Sequence, residues 1–207
     1  MFQRSLLLIP ILLLSFAAQG QERSNDPLGP LTQCVNRDGF HYEKRDRRPA
    51  TATARSVPSA RGDLSVSTAD GYRLMVYRQS SSPLVNLKLE RSAQGRFAED
   101  QLAITAQMQY LSTTLKTARP VALESRTRQG IDILALNLPA DDQASGVISM
   151  YTLFDAASGT VATAYLLNQR KEVREYASEA EYVVLREQFI GVLLDCLATS
   201  SRSTIQP

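Results

Sequence analysis

The sequence predicts an α+β domain, in which an antiparallel sheet of about six to seven strands packs against two helices. Short runs of alternating apolar residues recur between turn signals from residue 63 onward, as expected of strands. Two longer segments, at about 97–117 and 178–198, instead place their apolar residues on one helical stripe. The resulting element order, βββ-α-ββββ-α, is typical of a sheet that carries helices on its surface.

The first three strands are predicted between residues 63 and 92. In DLSVSTADGYRLMVYRQ, alternating apolar residues flank Asp70-Gly71, and such a dipeptide favours a hairpin turn because glycine adopts a positive φ at low cost. The next segment, LVNLKLERS, alternates apolar and polar residues in the way of a half-buried strand.

The helix at 97–117 ends before Pro120, and we interpret its apolar stripe as core: Phe97, Ile104, Met108, Leu111 and Leu115. Turn signals then separate four further strands, predicted at 121–129, 131–139, 146–156 and 160–168. The two middle runs have apolar residues at both odd and even positions. We therefore expect central strands that are covered on both faces.

The helix at 178–198 completes the domain of residues 63–200, and residues 201–207 are predicted to be a tail. It opens with a capping box, because Ser178 is followed three residues later by Glu181. Its apolar stripe ends on Cys196, so this cysteine is expected to face the core.

The N-terminus has the pattern of a secretory signal peptide over residues 1–20. Arg4 precedes the apolar run LLLIPILLLSFAA, and the small residues Ala18 and Gly20 lie three and one positions before a possible cleavage site. We expect export to the periplasm, with the extracellular space as the alternative compartment. An uncleaved N-terminal anchor is the alternative to cleavage.

Two cysteines and an exported location favour a disulfide between Cys34 and Cys196, since oxidising compartments promote pairing. Free thiols and an intermolecular bond are the alternatives. Around Cys34, residues 21–44 are predicted to form an N-terminal segment with a short hairpin at NRDG. The bond would fasten this segment to the last helix.

Charge is distributed unevenly along a chain whose formal net charge is only +2, a balance that argues against nucleic-acid binding. Residues 45–62 are rich in Ala, Thr, Ser and Pro, and we predict a basic flexible linker there. Within 43–61 the cations that would make weak contacts with an anionic partner are Lys44, Arg45, Arg47, Arg48, Arg55 and Arg61. The alternative is a solvated linker without a partner.

Catalytic and cofactor motifs are not found in the sequence, and we predict no catalytic residue, metal site or cofactor. His41 is the only histidine. A Cys34 and His41 dyad would need a reduced thiol. The pair Asp141-Asp142 stands between two predicted strands, where acidic residues are ordinarily turn residues.

The order of elements over 63–198 resembles the PsbP-like group of small α/β/α-sandwich domains. The stretch YTLFDAASGTVATAYLLN followed by EYVVLREQFIGVLLDCL is the part most similar to it. The resemblance implies a non-enzymatic domain that binds or assembles something. Together with the absence of catalytic motifs, we expect a non-catalytic exported (periplasmic or secreted) binding or accessory protein that supports a larger assembly, and its partner is expected to be another protein. An inhibitor or immunity protein acting through loops such as 139–146 or 169–177 is the second hypothesis, and an enzyme of unrecognised type is the third.

Overall fold

The structure, a computed structural model, describes residues 26–48, 54–115, 121–138 and 146–205. The predicted signal peptide lies outside them. The elements are helices α1 (Gly29–Cys34), α2 (Phe97–Thr114) and α3 (Glu179–Ile205), a 3-10 turn (Lys171–Val173), and strands β1 (His41–Arg48), β2 (Ala54–Val57), β3 (Leu64–Tyr77), β4 (Val85–Ser92), β5 (Leu123–Arg128), β6 (Ile131–Asn137), β7 (Val147–Asp155) and β8 (Thr160–Leu167). Among the described residues, no helix combines the length and the apolar character needed to cross a membrane.

The eight strands form one antiparallel sheet, which confirms the predicted α+β class. In space the strands follow the order β1-β3-β4-β8-β7-β6-β5, and β2 pairs with the N-terminal part of β3. Strands β5 to β8 match the four strands that the sequence predicted after the first long helix. Strands β1 and β2 were not predicted.

Apolar side chains cover both faces of the sheet, and each face has its own helix. On β6, Ile131 and Ile133 pack in the cluster that contains Phe189 of α3. Leu134 and Leu136, at the alternate positions that follow, pack in the cluster that contains Ile104 of α2. This alternation confirms that β6 is a central strand covered on both sides, and it places the sheet between α2 and α3.

Both long helices begin close to their predicted starts. At α3, Ser178 Oγ accepts a hydrogen bond from the Glu181 backbone N–H at 3.3 Å, and the Glu181 carboxylate accepts one from the Ala177 N–H at 2.8 Å. Helix α3 continues to Ile205, through most of the predicted tail, because residues 199–206 contain no Gly or Pro to end it.

The predicted hairpin at Asp70-Gly71 is wrong, because β3 runs without a turn from Leu64 to Tyr77. A β-bulge lies at this position instead, where the register with β4 shifts between Thr68 and Asp70. A Cβ added to Gly71 would lie 3.1 Å from the carbonyl oxygen of Leu89 on β4. Glycine is therefore needed here for close approach of two strands and not for a turn.

The prediction of an N-terminal hairpin is also wrong, because helix α1 occupies the place of the predicted first strand. Pro30 stands in the first turn of α1, a position that suits proline since its missing N–H would be unpaired there. The turn signal at Asp38 and Gly39 was correct, with φ of 55° and 85°, but the turn joins a helix to β1.

The basic linker predicted over 45–62 is replaced in part by strands. Residues 45–48 belong to β1, which pairs with the C-terminal half of β3, and residues 54–57 form β2. Residues 49–53 lie outside the described part. Composition wrongly predicted a flexible linker here. The charged side chains of this segment pair with carboxylates that are distant in the sequence, and local composition cannot reveal such partners.

The predicted disulfide between Cys34 and Cys196 is present, with 5.7 Å between the two Cα atoms, and it joins α1 to α3. Cys196 is fully buried in the larger apolar cluster, as its place on the helical stripe indicated. The bond closes a loop of 162 residues. In the chain-entropy model such a loop stabilises the folded state by about 5 kcal/mol, as an upper estimate.

Loss of this bond should therefore be measurable. We expect a Cys34→Ala, Cys196→Ala double variant to lose about 2–5 kcal/mol of unfolding free energy in urea. The unmodified protein in reductant is the matched control, and its unfolding curve should coincide with that of the variant. Alkylation of both thiols before any reduction would contradict the assignment.

Candidate functional site

A groove of about 830 Å³ lies beside α2. One wall is the outer side of α2 and the other is the connection between β2 and β3. Apolar and small side chains dominate its lining, which includes Leu64, Leu102, Ala103, Ala106 and Tyr110. Arg61, Arg96 and Glu99 supply its charged groups. A mostly apolar surface with a few polar groups is typical of a binding site.

Two leucines make this groove unusual for a protein surface. The side chain of Leu102 is 71% exposed, and that of Leu64 is 36% exposed, although both are large and apolar. Apolar surface that forms one contiguous lining is far more often a contact site than scattered single residues are. The groove thus has the character of a docking surface.

Polar contacts at the bulge of β3 hold the two walls together. Asp100, in the first turn of α2, is fully buried, and its Oδ1 accepts a hydrogen bond from the Ser67 N–H at 2.9 Å. The Ala93 N–H donates to the Ser67 carbonyl at 2.9 Å. Val57 and Val66 then pack with Ile104 in the smaller apolar cluster. The β2 and β3 strands are therefore fixed against the helix.

The core stripe predicted for α2 faces the sheet as expected. Ile104 and Met108 are buried, and Phe97 and Leu111 pack at the margin of the same cluster, whereas Leu115 is exposed. The groove is lined by a different stripe, which contains Leu102, Ala106, Gln109 and Thr113. This second stripe has helical spacing in the sequence, so an isolated leucine among polar residues was the signal that sequence reasoning missed.

Of the six cations predicted to contact an anionic partner, the structure describes the side chains of Arg45, Arg47, Arg55 and Arg61. Arg45 binds Asp26 and Arg47 binds Asp70, each at 3.1 Å, and the Arg45 guanidinium also lies 4.2 Å from the centre of the Tyr72 ring. The side chains of Lys44 and Arg48 lie outside the described part of the structure. Carboxylates within the protein thus already neutralise much of this segment.

The other two cations, Arg55 and Arg61, lie in different surroundings. Arg55 binds Glu90 at 3.2 Å, and Glu90 also binds Lys88 at 2.7 Å. Burial alone would raise the pKa of Glu90, but the charges of Lys88 and Arg55 and the hydrogen bonds from Lys88 and Thr68 outweigh it, so this pKa is lowered. Arg61 lies on the groove, and no carboxylate of the described residues pairs with it.

A polar network under α3 is the main alternative to the groove. Tyr182 donates a hydrogen bond to Ser149 Oγ at 2.7 Å, Ser149 donates to Asn137 Oδ1 at 2.9 Å, and Arg186 donates to the same Asn137 oxygen at 3.0 Å. Burial raises the pKa of Tyr182 far above its ordinary value. Ser149 is only 1% exposed, so this network fastens α3 to the sheet and offers no reactive hydroxyl to a substrate.

Of the two catalytic pairs considered from the sequence, only Cys34 and His41 lie within the described residues. Cys34 is oxidised in the disulfide, so no thiolate is available beside His41. Asp141 and Asp142 lie outside the described residues. Within the described residues, no three His, Cys, Asp or Glu side chains are grouped to hold a metal ion.

The buried contact of Asp100 should control the stability of the groove. We expect Asp100→Ala to lower the free energy of unfolding in urea by about 1–3 kcal/mol, because it leaves the Ser67 amide without its partner. Faster hydrogen exchange at that amide should accompany the loss. Glu99→Ala is the matched control, since it removes an exposed carboxylate from the same helical turn. Equal losses in the two variants would show that Asp100 is not an anchor.

The lowered pKa of Glu90 predicts an acid-sensitive contribution to stability. Ionised Glu90 stabilises the fold fully above its ordinary value of about pH 4.5, and this contribution is lost as the pH falls through the lowered pKa. Glu90→Gln should therefore reduce stability at neutral pH and flatten the decline below pH 4.5, measured by urea unfolding across pH. The exposed Glu172→Gln serves as control and should leave the profile unchanged. A Glu90→Gln curve parallel to the unmodified one would refute the assignment.

Comparison of the chain with protein-family models, with curated proteins and with solved structures finds no match. The resemblance to the PsbP-like group therefore stays a prediction from the order of elements. What the molecule does must be inferred from its own surfaces.

Proposed function

We propose that this protein is a non-catalytic exported binding protein that holds a protein partner in the groove between α2 and the β2–β3 connection. The exposed Leu102, on the wall of a groove of about 830 Å³, is the observation that supports this most directly. A segment of the partner would bury Leu102 and Leu64, and burial of two leucines favours association by several kcal/mol before ordering costs are subtracted.

Charge at the groove specifies the kind of segment that fits. Arg61 has no carboxylate partner among the described residues, whereas Arg96 is paired with Glu99. The groove thus carries an excess of positive charge next to apolar surface. The partner segment is therefore one that combines apolar side chains with an acidic residue, placed to meet Arg61.

The walls of the groove suit a pre-organised site. The contacts of Asp100 with Ser67 and of Val66 with Ile104 hold helix and strands in place without a ligand. Little ordering of the protein is then needed on binding, which favours affinity. This arrangement supports a binding role over one that depends on closure around a substrate.

The disulfide between Cys34 and Cys196 supports an exported location, because such bonds persist in oxidising compartments. The predicted signal peptide points the same way. The periplasm is the proposed compartment, and the extracellular space is equally oxidising.

The groove can be tested by crosslinked pull-down of the tagged protein from its native exported fraction, read by mass spectrometry. We expect Leu102→Glu to reduce recovery of the dominant partner at least tenfold, which corresponds to about 1.4 kcal/mol of binding free energy. Val184→Glu is the matched control, since Val184 is a 58% exposed apolar residue on α3. Equal recovery with both variants, or no partner above background, would contradict the proposal.

Charge reversal provides a second arm of the same experiment. Arg61→Glu should weaken capture of a partner with an acidic segment, and added salt should weaken capture by the unmodified protein. Leu102→Glu and Arg61→Glu alter exposed side chains, so circular dichroism and urea unfolding should confirm that both variants keep an intact fold. Stronger capture by Arg61→Glu would reject an acidic partner segment.

A further inference from the structure

A polar area lies on the α2 side of the sheet and shares no residue with the groove or with the apolar cluster beneath the helix. Its centre is a row of three side chains in register across β3, β4 and β8, namely Arg73, Lys88 and Thr163. Residues directly opposite each other on paired strands project from the same face. In the adjacent row, Asn86 on β4 stands opposite Tyr165 on β8.

This row places two cations opposite each other. Like charges at directly paired positions of a sheet are destabilising. Lys88 finds partial relief in Glu90, which lies 2.7 Å away and also binds Arg55. Arg73 has no ion pair among the described residues, although Asp46 on β1 stands opposite it on the other side. Three cations thus surround this area with Glu90 and Asp46 as the nearby acids.

Burial makes the arrangement costly. The side chain of Lys88 is only 15% exposed. Burial lowers the pKa of Lys88, and the charges of Arg55 and Arg73 lower it further, against the opposing attraction of Glu90. An ion pair normally raises the pKa of its lysine and lowers that of its glutamate. Here only the Glu90 pKa follows this rule, because burial and the neighbouring cations lower the pKa of Lys88. The protein therefore keeps a desolvated ammonium next to a second cation, Arg73, for which no ion pair is formed among the described residues.

Hydrogen-bond donors near these cations are also left without protein partners. The Tyr165 hydroxyl and the Asn86 amide make no hydrogen bond within the described residues. Burial raises the pKa of Tyr165, so its hydroxyl stays protonated and can donate. The Tyr165 hydroxyl and the Asn86 amide thus add two hydrogen-bond donors beside Arg73 and Lys88.

We propose that Arg73, Lys88, Tyr165 and Asn86 form a binding site for a small oxyanion, namely the carboxylate, phosphate or sulfate group of a small molecule. The guanidinium of Arg73 suits two oxygens of such a group at once, and Lys88 supplies a point charge beside it. None of these side chains lines the groove. The inference is thus independent of the proposed partner, and a small ligand fits because Lys88 and Tyr165 are only partly accessible.

An anion titration monitored by urea unfolding tests the site. Inorganic phosphate, sulfate and acetate are added to the full mature protein and compared with chloride at equal ionic strength, which removes general screening. We expect stabilisation that rises with the logarithm of anion concentration beyond the chloride effect. The ranking of acetate against phosphate and sulfate identifies the preferred group. Equal effects of all four anions would overturn the proposal.

Arg73→Gln gives the sharper discrimination, because the two roles of Arg73 predict opposite changes. Without added anion this variant should be at least as stable as the unmodified protein, since a like-charge pair is removed. Its affinity for the preferred anion should fall at least tenfold. Arg128→Gln, which removes an exposed arginine from the edge strand β5, is the matched control and should keep the full response. An unchanged anion response in Arg73→Gln would reject the site.

Discussion

The packing of α3 across one face of the sheet is the contact on which the rest of the structure depends. Leu185, Phe189 and Leu193 of this helix are buried in the larger apolar cluster, together with side chains from β3, β4, β6, β7 and β8. Helix α1 packs against α3 through the disulfide, and the Tyr182 hydroxyl anchors the start of the helix to the sheet. With this face completed, the opposite face is free to carry function. Helix α2 covers only part of that face.

The incomplete cover by α2 creates both candidate sites. Between the outer surface of α2 and the β2–β3 connection lies the groove in which Leu102 is exposed. Positions of β3, β4 and β8 on the same face that do not belong to the apolar cluster carry Arg73 and Lys88. The two surfaces have different chemistry, one apolar with a basic edge and one polar with a cationic centre. A protein segment suits the first, and a small anion suits the second.

Local patterns in the sequence predicted most elements but not the contacts between distant ones. Alternation predicted β4, turn signals between apolar runs predicted β5 to β8, and helical stripes predicted α2 and α3. Two cysteines behind a predicted signal peptide predicted the bond. The failures share a cause. Asp70-Gly71 has the composition of a turn, but Gly71 instead allows the close approach of the Leu89 carbonyl. The arginine-rich segment of β1 has the composition of a linker, but Asp26 and Asp70, which lie far away in the sequence, pair with its arginines. The groove depends on how the β2–β3 connection lies against α2, which no local pattern contains.

The disulfide closes most of the described chain into a covalent ring. Because Cys34 and Cys196 are joined, the described strands and α2 all lie within one covalent ring of the chain. A protease that cuts one exposed connection inside this ring opens the ring but releases no fragment. The two pieces stay tethered at α1 and α3, at an effective concentration high enough to keep the sheet assembled. In a compartment that contains hydrolases, a nicked molecule would thus retain its binding surfaces.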